Sequence, residues 1–166
     1  MPISGLDQYL VFNVASQQCA TPIVDVCEVI LMAELSTPLG LPSRIVGILN
    51  LGGEAIPVLN LSELLGLADC EADLYSHILL TRTNDGIVGF LSQAVKKVIS
   101  MPQRSLKPMP VQTSLQGYAQ TMMPDGKDFV AVLSLKAIAN ACEHPGKTAV
   151  SSQSIAATCD FLDKAS

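Results

Sequence analysis

The feature that most constrains the fold of this chain is a β-unit that occurs twice. The first copy, Arg44–Gly66, has the pattern of a strand, a turn at Gly52-Gly53, a second strand and a short helix. Paired glycines suit the positive φ angles of a tight hairpin turn. The second part of the unit returns at residues 128–139. Because no catalytic side chain stands at the turn, the unit indicates a binding scaffold rather than an enzyme.

Two constant offsets relate the halves of the chain. At an offset of 69 residues, segments 9–11 and 26–30 match segments 78–80 and 95–99. At an offset of 74 residues, the apolar positions of 56–64 match those of 130–138. β-Rich sequences also resemble one another by chance, but two offsets in the same order favour an internal duplication.

The predicted elements give each half about five short strands and one short helix. The apolar fraction is 49% and only 4% of residues are aromatic, so Val, Ile and Leu must make most of the core, which favours sheet. A sheet that closes into a small barrel removes the exposed edges that invite aggregation. Two packed barrels leave a groove between them, where binding sites commonly occur. The predicted elements are strands at 9–14, 21–31 and 94–100, hairpins at 45–51 with 54–60, 76–82 with 86–91 and 115–122 with 128–133, short helices capped by Asn60 or Ser62 and by Ser134, and an amphipathic helix or frayed tail at 149–164.

Charge argues against two classes of partner. The net charge of −5 does not suit a nucleic-acid binder, which needs a basic face for phosphates. It does not suit an anionic membrane surface either. No apolar run approaches the roughly 20 residues of a spanning helix, and the N-terminus lacks the pattern of a secretory signal. We therefore expect neither nucleic-acid binding nor direct membrane insertion.

Residues with catalytic or metal-binding potential are few and scattered. The sequence has no Cys-x-x-Cys, His-x-x-His, P-loop or GxGxxG motif. His77 falls in a predicted strand and His144 in a loop, neither near a recognisable nucleophile, although distant residues can still assemble a triad in space. The sequence therefore predicts no enzyme, cofactor or metal site. The five cysteines are expected to be small apolar residues in a reducing cytosol, a Cys19–Cys27 disulfide being the alternative; they are Cys19, Cys27, Cys70, Cys142 and Cys159.

The segment Gly47–Leu61, with the sequence GILNLGGEAIPVLNL, carries a family resemblance. Tyr9-Leu-Val-Phe, Val26-Cys-Glu-Val-Ile and weaker motifs to Pro110 keep the same family's order. On these residues the chain resembles the CheW family of bacterial chemosensory adaptors over residues 8–141. The resemblance implies a mainly β fold of two five-stranded SH3-like barrels, at about 15–67 and 75–141, with strand 8–14 a candidate for sharing. Residues 142–166 would be a tail or a C-terminal helix.

The resemblance also implies a function without catalysis. Proteins of this family bridge the cytoplasmic tip of a chemoreceptor to the regulatory domain of a histidine kinase, so we expect these two partners and a cytoplasmic location. One alternative keeps the fold but places it in a pilus-linked or other non-flagellar pathway. An alternative from another class is a nucleic-acid-binding SH3-like barrel, which would need a basic stripe.

The resemblance further implies a partner-facing groove. Its glycines would let a partner backbone approach closely, and its apolar residues would bury surface against a receptor helix. Plain barrel packing is the alternative for the apolar members, and turn geometry is the alternative for the paired glycines. The seven positions are Val26, Glu28, Gly47, Asn50, Gly53, Ile78 and Gly89.

Two residues depart from the family pattern. Gly52 stands where the family usually has an arginine, which commonly pairs with the glutamate corresponding to Glu28. Gln93 stands where an aspartate is usual. Glycine cannot replace a bidentate guanidinium–carboxylate pair. We therefore expect either a compensating partner for Glu28, such as Arg44, or an altered partner surface.

Overall fold

A computed structural model describes residues 5–68, 73–109 and 118–143. Within these ranges the protein is mainly β, as the sequence predicts, with short helices between strands. None of the helices in the described part is long and apolar enough to span a membrane. The strands are β1 (Leu6–Val14), β2 (Gln17–Pro22), β3 (Glu28–Leu31), β4 (Ile45–Leu51), β5 (Glu54–Leu59), β6 (His77–Thr83), β7 (Gly86–Ser92), β8 (Ala94–Pro102), β9 (Lys107–Pro108), β10 (Ala119–Asp125) and β11 (Asp128–Leu133), and the helices are α1 (Leu61–Leu64) and α2 (Leu135–Glu143).

The strands form two sheets. One has five strands in the order β3-β6-β7-β5-β4, and the other has six in the order β8-β1-β2-β11-β10-β9. The inner face of each sheet is lined with apolar side chains that converge on a single cluster, so each sheet curls around a core of its own. We call the two units the five-stranded barrel and the six-stranded barrel. Their inner clusters are Leu49, Ile56, Val58, Ile78, Leu80 and Leu91 in the first, and Tyr9, Val11, Ala20, Met101, Met123, Val130 and Val132 in the second.

A bridge brings the two edges of the five-stranded barrel together. Ser36, which follows edge strand β3, pairs with Ile48 of edge strand β4. Each residue donates its backbone N–H to the carbonyl of the other, at 2.9 and 2.7 Å. The chain that leaves one edge therefore satisfies hydrogen-bonding groups at the other edge, which limits exposed strand edge.

The outer faces of both sheets and both helices share a third, central core. Leu79 and Phe90 of the five-stranded barrel pack here with Leu10 and Phe12 of the six-stranded barrel. Each of these side chains is 5% exposed or less. The two helices and the residue that follows α1 contribute to the same cluster. These residues are Leu61 and Leu65 from α1 and its end, and Leu135, Ile138 and Ala139 from α2. The two barrels are therefore joined by a continuous apolar core.

Strand pairing confirms the internal duplication. Tyr9 pairs with Pro22 in the β1–β2 hairpin, and the residues 69 positions later, Ile78 and Leu91, pair in the β6–β7 hairpin. Likewise Ile45 pairs with Leu59, and residues 119 and 133, each 74 positions later, pair with one another. Both of the latter hairpins carry a register shift directly after that first pair. The two halves therefore repeat their hairpins residue for residue.

Sheet membership does not follow the predicted barrel bounds of 15–67 and 75–141. Strands β1 and β2 lie in the six-stranded sheet with β8 to β11, whereas β6 and β7 lie in the five-stranded sheet with β3 to β5. Two parallel pairs join strands from different halves of the chain: β5 pairs with β7, and β11 pairs with β2. Each sheet thus combines the first hairpin of one half with the later strands of the other. The strand at 8–14 is accordingly part of an exchanged hairpin.

Candidate protein-binding surface

The seven positions predicted to face a partner all belong to the five-stranded barrel or its immediate border. Glu28 begins β3, with Val26 two residues before it; Gly47 and Asn50 lie in β4, with Gly53 in the turn that follows. Ile78 and Gly89 occupy the central strands β6 and β7. These residues therefore belong to one sheet and its border, but they differ in solvent exposure.

Ile78 and Gly89 are fully or nearly inaccessible. Ile78 is 0% exposed and belongs to the inner cluster of the barrel. A Cβ atom at position 89 would lie 2.8 Å from Cγ2 of Ile78 and 3.3 Å from Cγ2 of Val58. The absence of a side chain at Gly89 therefore makes room for barrel packing, which is an internal role.

Gly47 has an internal role as well. A Cβ atom there would lie 2.7 Å from Cβ of Leu35 and 2.9 Å from the carbonyl oxygen of Ser36. The segment that bridges β3 to β4 consequently crosses β4 in contact with its backbone. Glycine at position 47 permits this approach by the chain's own backbone, as it would permit approach by a partner.

Asn50 and Gly53 shape the hairpin turn between β4 and β5. The Asn50 side-chain oxygen accepts a hydrogen bond from the Gly53 backbone N–H at 2.9 Å. Gly52 and Gly53 have φ angles of +62° and +91°, values that glycine adopts without steric cost. Turn geometry thus accounts for both glycines, and all three residues remain exposed on the surface.

Glu28 and Val26 differ in accessibility. Val26 is half-buried and packs against the central core. The Glu28 carboxylate is exposed and makes no hydrogen bond or ion pair with any other described residue. Arg44, the candidate replacement for the family arginine, instead lies near Tyr118 and Cys142, where its charge opposes the rise in the pKa of both groups that burial causes. Glu28 is therefore an unpaired carboxylate in the described structure.

The accessible positions lie at the start of β3 and at the tip of the β4–β5 hairpin. Glu28 contributes a carboxylate from β3, and Leu51, Gly52 and Gly53 contribute the tip of the β4–β5 hairpin. A Cβ atom at either glycine would have no neighbouring atom within 4 Å, so the space above the hairpin is free. We call these four residues the open end.

A separate concavity lies beside α1, where the segment before β4 meets the segment before β10. It has a volume of about 460 Å³ and includes Tyr118, which leads into the six-stranded barrel. None of the seven predicted positions lines it. The remaining lining residues come from the five-stranded side and are Pro42, Ser43, Arg44, Glu63 and Leu64.

Groups that could perform chemistry are sparse in the described ranges. No group of three or more His, Cys, Asp and Glu side chains there is arranged to hold a metal ion. Cys19 is buried, Cys27 is exposed, and neither is in a disulfide. His77 lies in β6 and is half-buried. Cys70, Cys159, His144 and the predicted helix at 149–164 lie outside the described residues.

The chain is similar to known proteins in family, sequence and fold. The model of the CheW-like domain family matches residues 8–143. The chemotaxis protein CheW of Helicobacter pylori is 25% identical over 103 residues, which are 62% of this chain and 62% of that protein. The chemotaxis protein CheW of Thermotoga maritima is 34% identical over 100 residues, 60% of this chain and 65% of that protein. In both cases the match therefore spans less than two thirds of the relative.

A solved structure shares the fold. The scaffolding protein TtCheW from Thermoanaerobacter tengcongensis superimposes with a TM-score of 0.72 at 24% sequence identity. The superposition covers 81% of this chain and 87% of that chain. The two chains therefore share a fold over most of their lengths.

Proposed function

Because this chain belongs to the CheW-like family, we propose that it is a non-catalytic adaptor that couples chemoreceptors to a histidine kinase in a bacterial chemosensory complex. The observation that carries the proposal is the family match over residues 8–143, which includes all the described strands except the first two residues of β1. We propose the cytoplasmic tip of a chemoreceptor and the regulatory domain of the kinase as the two partners. Both partners would place the protein in the cytoplasm.

The architecture supports an adaptor in two ways. The two barrels share a continuous apolar core, so surfaces on both are held in a fixed relation. The exposed part of the predicted site is made of a hairpin turn and a strand end rather than a lined catalytic pocket. A rigid two-barrel body of this kind can present separate surfaces to separate proteins without needing a reaction centre.

Direct binding tests the proposal. The full chain is titrated by calorimetry with the kinase regulatory domain and, separately, with a receptor-tip fragment from the same genome. We expect saturable binding to at least one partner and formation of a ternary complex with both. Binding to neither would contradict the proposed function. If the chain does bind, the neighbouring genes distinguish the two pathway alternatives, because they would encode either a flagellar or a pilus system.

A further inference from the structure

The six-stranded barrel has an ion pair at the end that corresponds to the open end of the five-stranded barrel. Lys97 Nζ lies 3.1 Å from Oδ2 and 3.2 Å from Oδ1 of Asp125. Lys97 belongs to β8, at one edge of its sheet, and Asp125 closes β10 near the other edge. The ion pair therefore connects the two sides of the sheet across the end of this barrel.

The duplication identifies the residues that occupy the same places in the five-stranded barrel. Glu28 pairs with Leu80 as Lys97, 69 positions later, pairs with Val11. Leu51 faces Glu54 across the hairpin as Asp125, 74 positions later, faces Asp128. A carboxylate thus replaces the lysine, and an apolar side chain replaces the lysine's acidic partner. At these described positions the five-stranded barrel therefore has no equivalent of the Lys97–Asp125 ion pair.

Glu28 lies close to apolar residues, and none of the described residues places a cation beside it. Glu28 and Ile30 lie on the same face of β3, since side chains alternate along a strand, and Ile30 packs against the inner cluster of the barrel. Because Lys97 lies beside Asp125 in the other barrel, the duplication places the Glu28 carboxylate beside the half-buried Leu51, at the edge of this apolar interior. Covering this end with a partner would remove water from the carboxylate, which costs free energy unless a cation or a hydrogen-bond donor accompanies the partner.

We propose that the bound protein partner supplies this cation. A lysine or arginine side chain of the partner lies across the open end, with its aliphatic stem on Leu51 and its charge on Glu28. Both side chains can cover apolar surface with their stems while the charged group binds a carboxylate. The partner surface that fits is therefore a basic residue among apolar side chains. This inference rests on the proposed adaptor function and specifies how one of its surfaces recognises its partner.

The first test removes the charge of Glu28. Full-length wild type and Glu28→Gln are titrated with the kinase regulatory domain and with the receptor-tip fragment at two salt concentrations. For the partner that binds the open end, we expect Glu28→Gln to weaken affinity on the order of tenfold and to reduce its salt dependence, because one charge of an interfacial pair is lost. Glu34→Gln, an exposed carboxylate of the same barrel, serves as the control and should change affinity less than about twofold. Both variants should retain the wild-type Tm.

The second test supplies the cation within the chain. Gly52→Arg should place a guanidinium beside Glu28 and weaken binding of the same partner, because the carboxylate is then already occupied. Gly126→Arg is the matched control, since Gly126 is the equivalent residue of the six-stranded barrel and has nearly the same φ, +64° against +62°. The strain of an arginine at positive φ is therefore common to both variants, and only Gly52→Arg should alter this binding.

The outcomes separate the inference from the proposed function. If wild type binds a partner but Glu28→Gln and Gly52→Arg leave every affinity within twofold, the inference is overturned and the adaptor function stands. If wild type binds neither protein, both are overturned. The strongest support is a charge exchange, in which Glu28→Lys restores binding to a partner whose critical lysine or arginine has been replaced by glutamate.

Discussion

A side chain at position 89 has almost no room in the five-stranded barrel. The 2.8 Å separation between a Cβ atom there and Cγ2 of Ile78 is shorter than real contacts of this kind. We predict that Gly89→Ala lowers the free energy of unfolding by about 1–3 kcal/mol, the usual cost of overpacking a core. The equivalent position of the other barrel, Ala20, already carries this methyl group, so the restriction comes from the neighbours rather than from the strand geometry.

Urea denaturation of a double-mutant cycle measures this effect. In the Ile78→Ala background the clash is removed, so Gly89→Ala should cost less there than in the wild type. Equal costs in the two backgrounds would show that the glycine is not required by its contact with Ile78. Partner binding would then again be a candidate reason for the glycine at position 89.

Cys19 gives a pH-dependent prediction. Burial raises the pKa of the Cys19 thiol to about 12 from an ordinary value of 9.0. Above pH 9 the unfolded chain therefore loses this proton while the folded chain keeps it, and the free energy of unfolding falls as pH rises from 9 towards 12. The slope from this one group approaches about 1.4 kcal/mol per pH unit.

A comparison with Cys19→Ala isolates this contribution from lysine and tyrosine side chains that titrate in the same range. Chemical denaturation at pH 8, 9, 10 and 11 should show a steeper loss of stability in the wild type than in the variant. Parallel curves would mean that the thiol ionises equally in both states. The thiol would then not be held protonated by burial.

At the scale of elements, the start of α2 is tied to the turn between β2 and β3. The Ser134 hydroxyl donates to Asp25 Oδ2 at 2.7 Å and accepts from the Ala137 N–H at 3.2 Å. The Lys136 N–H donates to the same carboxylate oxygen at 3.3 Å. Ser134 is therefore the helix cap that the sequence predicts, and the Asp25 carboxylate adds favourable charge at the helix N-terminus.

We predict that Ser134→Ala lowers the free energy of unfolding by about 1–2 kcal/mol, because it removes both the cap and the link to Asp25. Ser134→Thr keeps the hydroxyl and should retain most of the stability. Thermal and urea unfolding of the two variants provide the measurement. Equal destabilisation by alanine and threonine would mean that the hydroxyl contributes little.

Most strands and hairpins were predictable from the sequence because their signals are local, but the strand predicted at 21–31 is wrong, since a 3-10 turn at Ile23–Asp25 separates β2 from β3. The turn at Gly52-Gly53 and the alternating apolar residues on either side place the β4–β5 hairpin at 45–51 and 54–60, and the structure has it at Ile45–Leu51 and Glu54–Leu59. The depth of the candidate site residues was not predictable in the same way. From the sequence, Gly47 and Gly89 are both predicted to let a partner approach closely. In the structure, Leu35 lies against Gly47 and Ile78 lies against Gly89.

The exchange of hairpins between halves could not be predicted for a specific reason. The inner faces of both barrels use equivalent residues: Tyr9 corresponds to Ile78, and Leu49 corresponds to Met123. Pairing within a half and pairing between halves therefore offer nearly the same apolar contacts to each strand. The choice depends on how the connecting segments and the central core fit, which a single sequence does not show.

At the scale of the whole molecule, the exchange makes each barrel depend on both halves of the chain. A fragment of residues 1–68 has β3, β4 and β5 but lacks β6 and β7, which lie between β3 and β5 in the five-stranded sheet. It would also leave β1 and β2 without β8 and β11. A fragment of residues 73–166 has the complementary deficits. Neither half contains a complete sheet.

We therefore predict that neither fragment folds alone and that an equimolar mixture of the two regains the fold. Circular dichroism and amide NMR dispersion should show unfolded or aggregated chains separately and native-like spectra after mixing. As a control, a protease site inserted between residues 68 and 73 of the full chain should allow cleavage without separation of the halves until denaturant is added. A fragment that gives a cooperative unfolding transition by itself would contradict the exchange, because one half could then complete a barrel using its own strands.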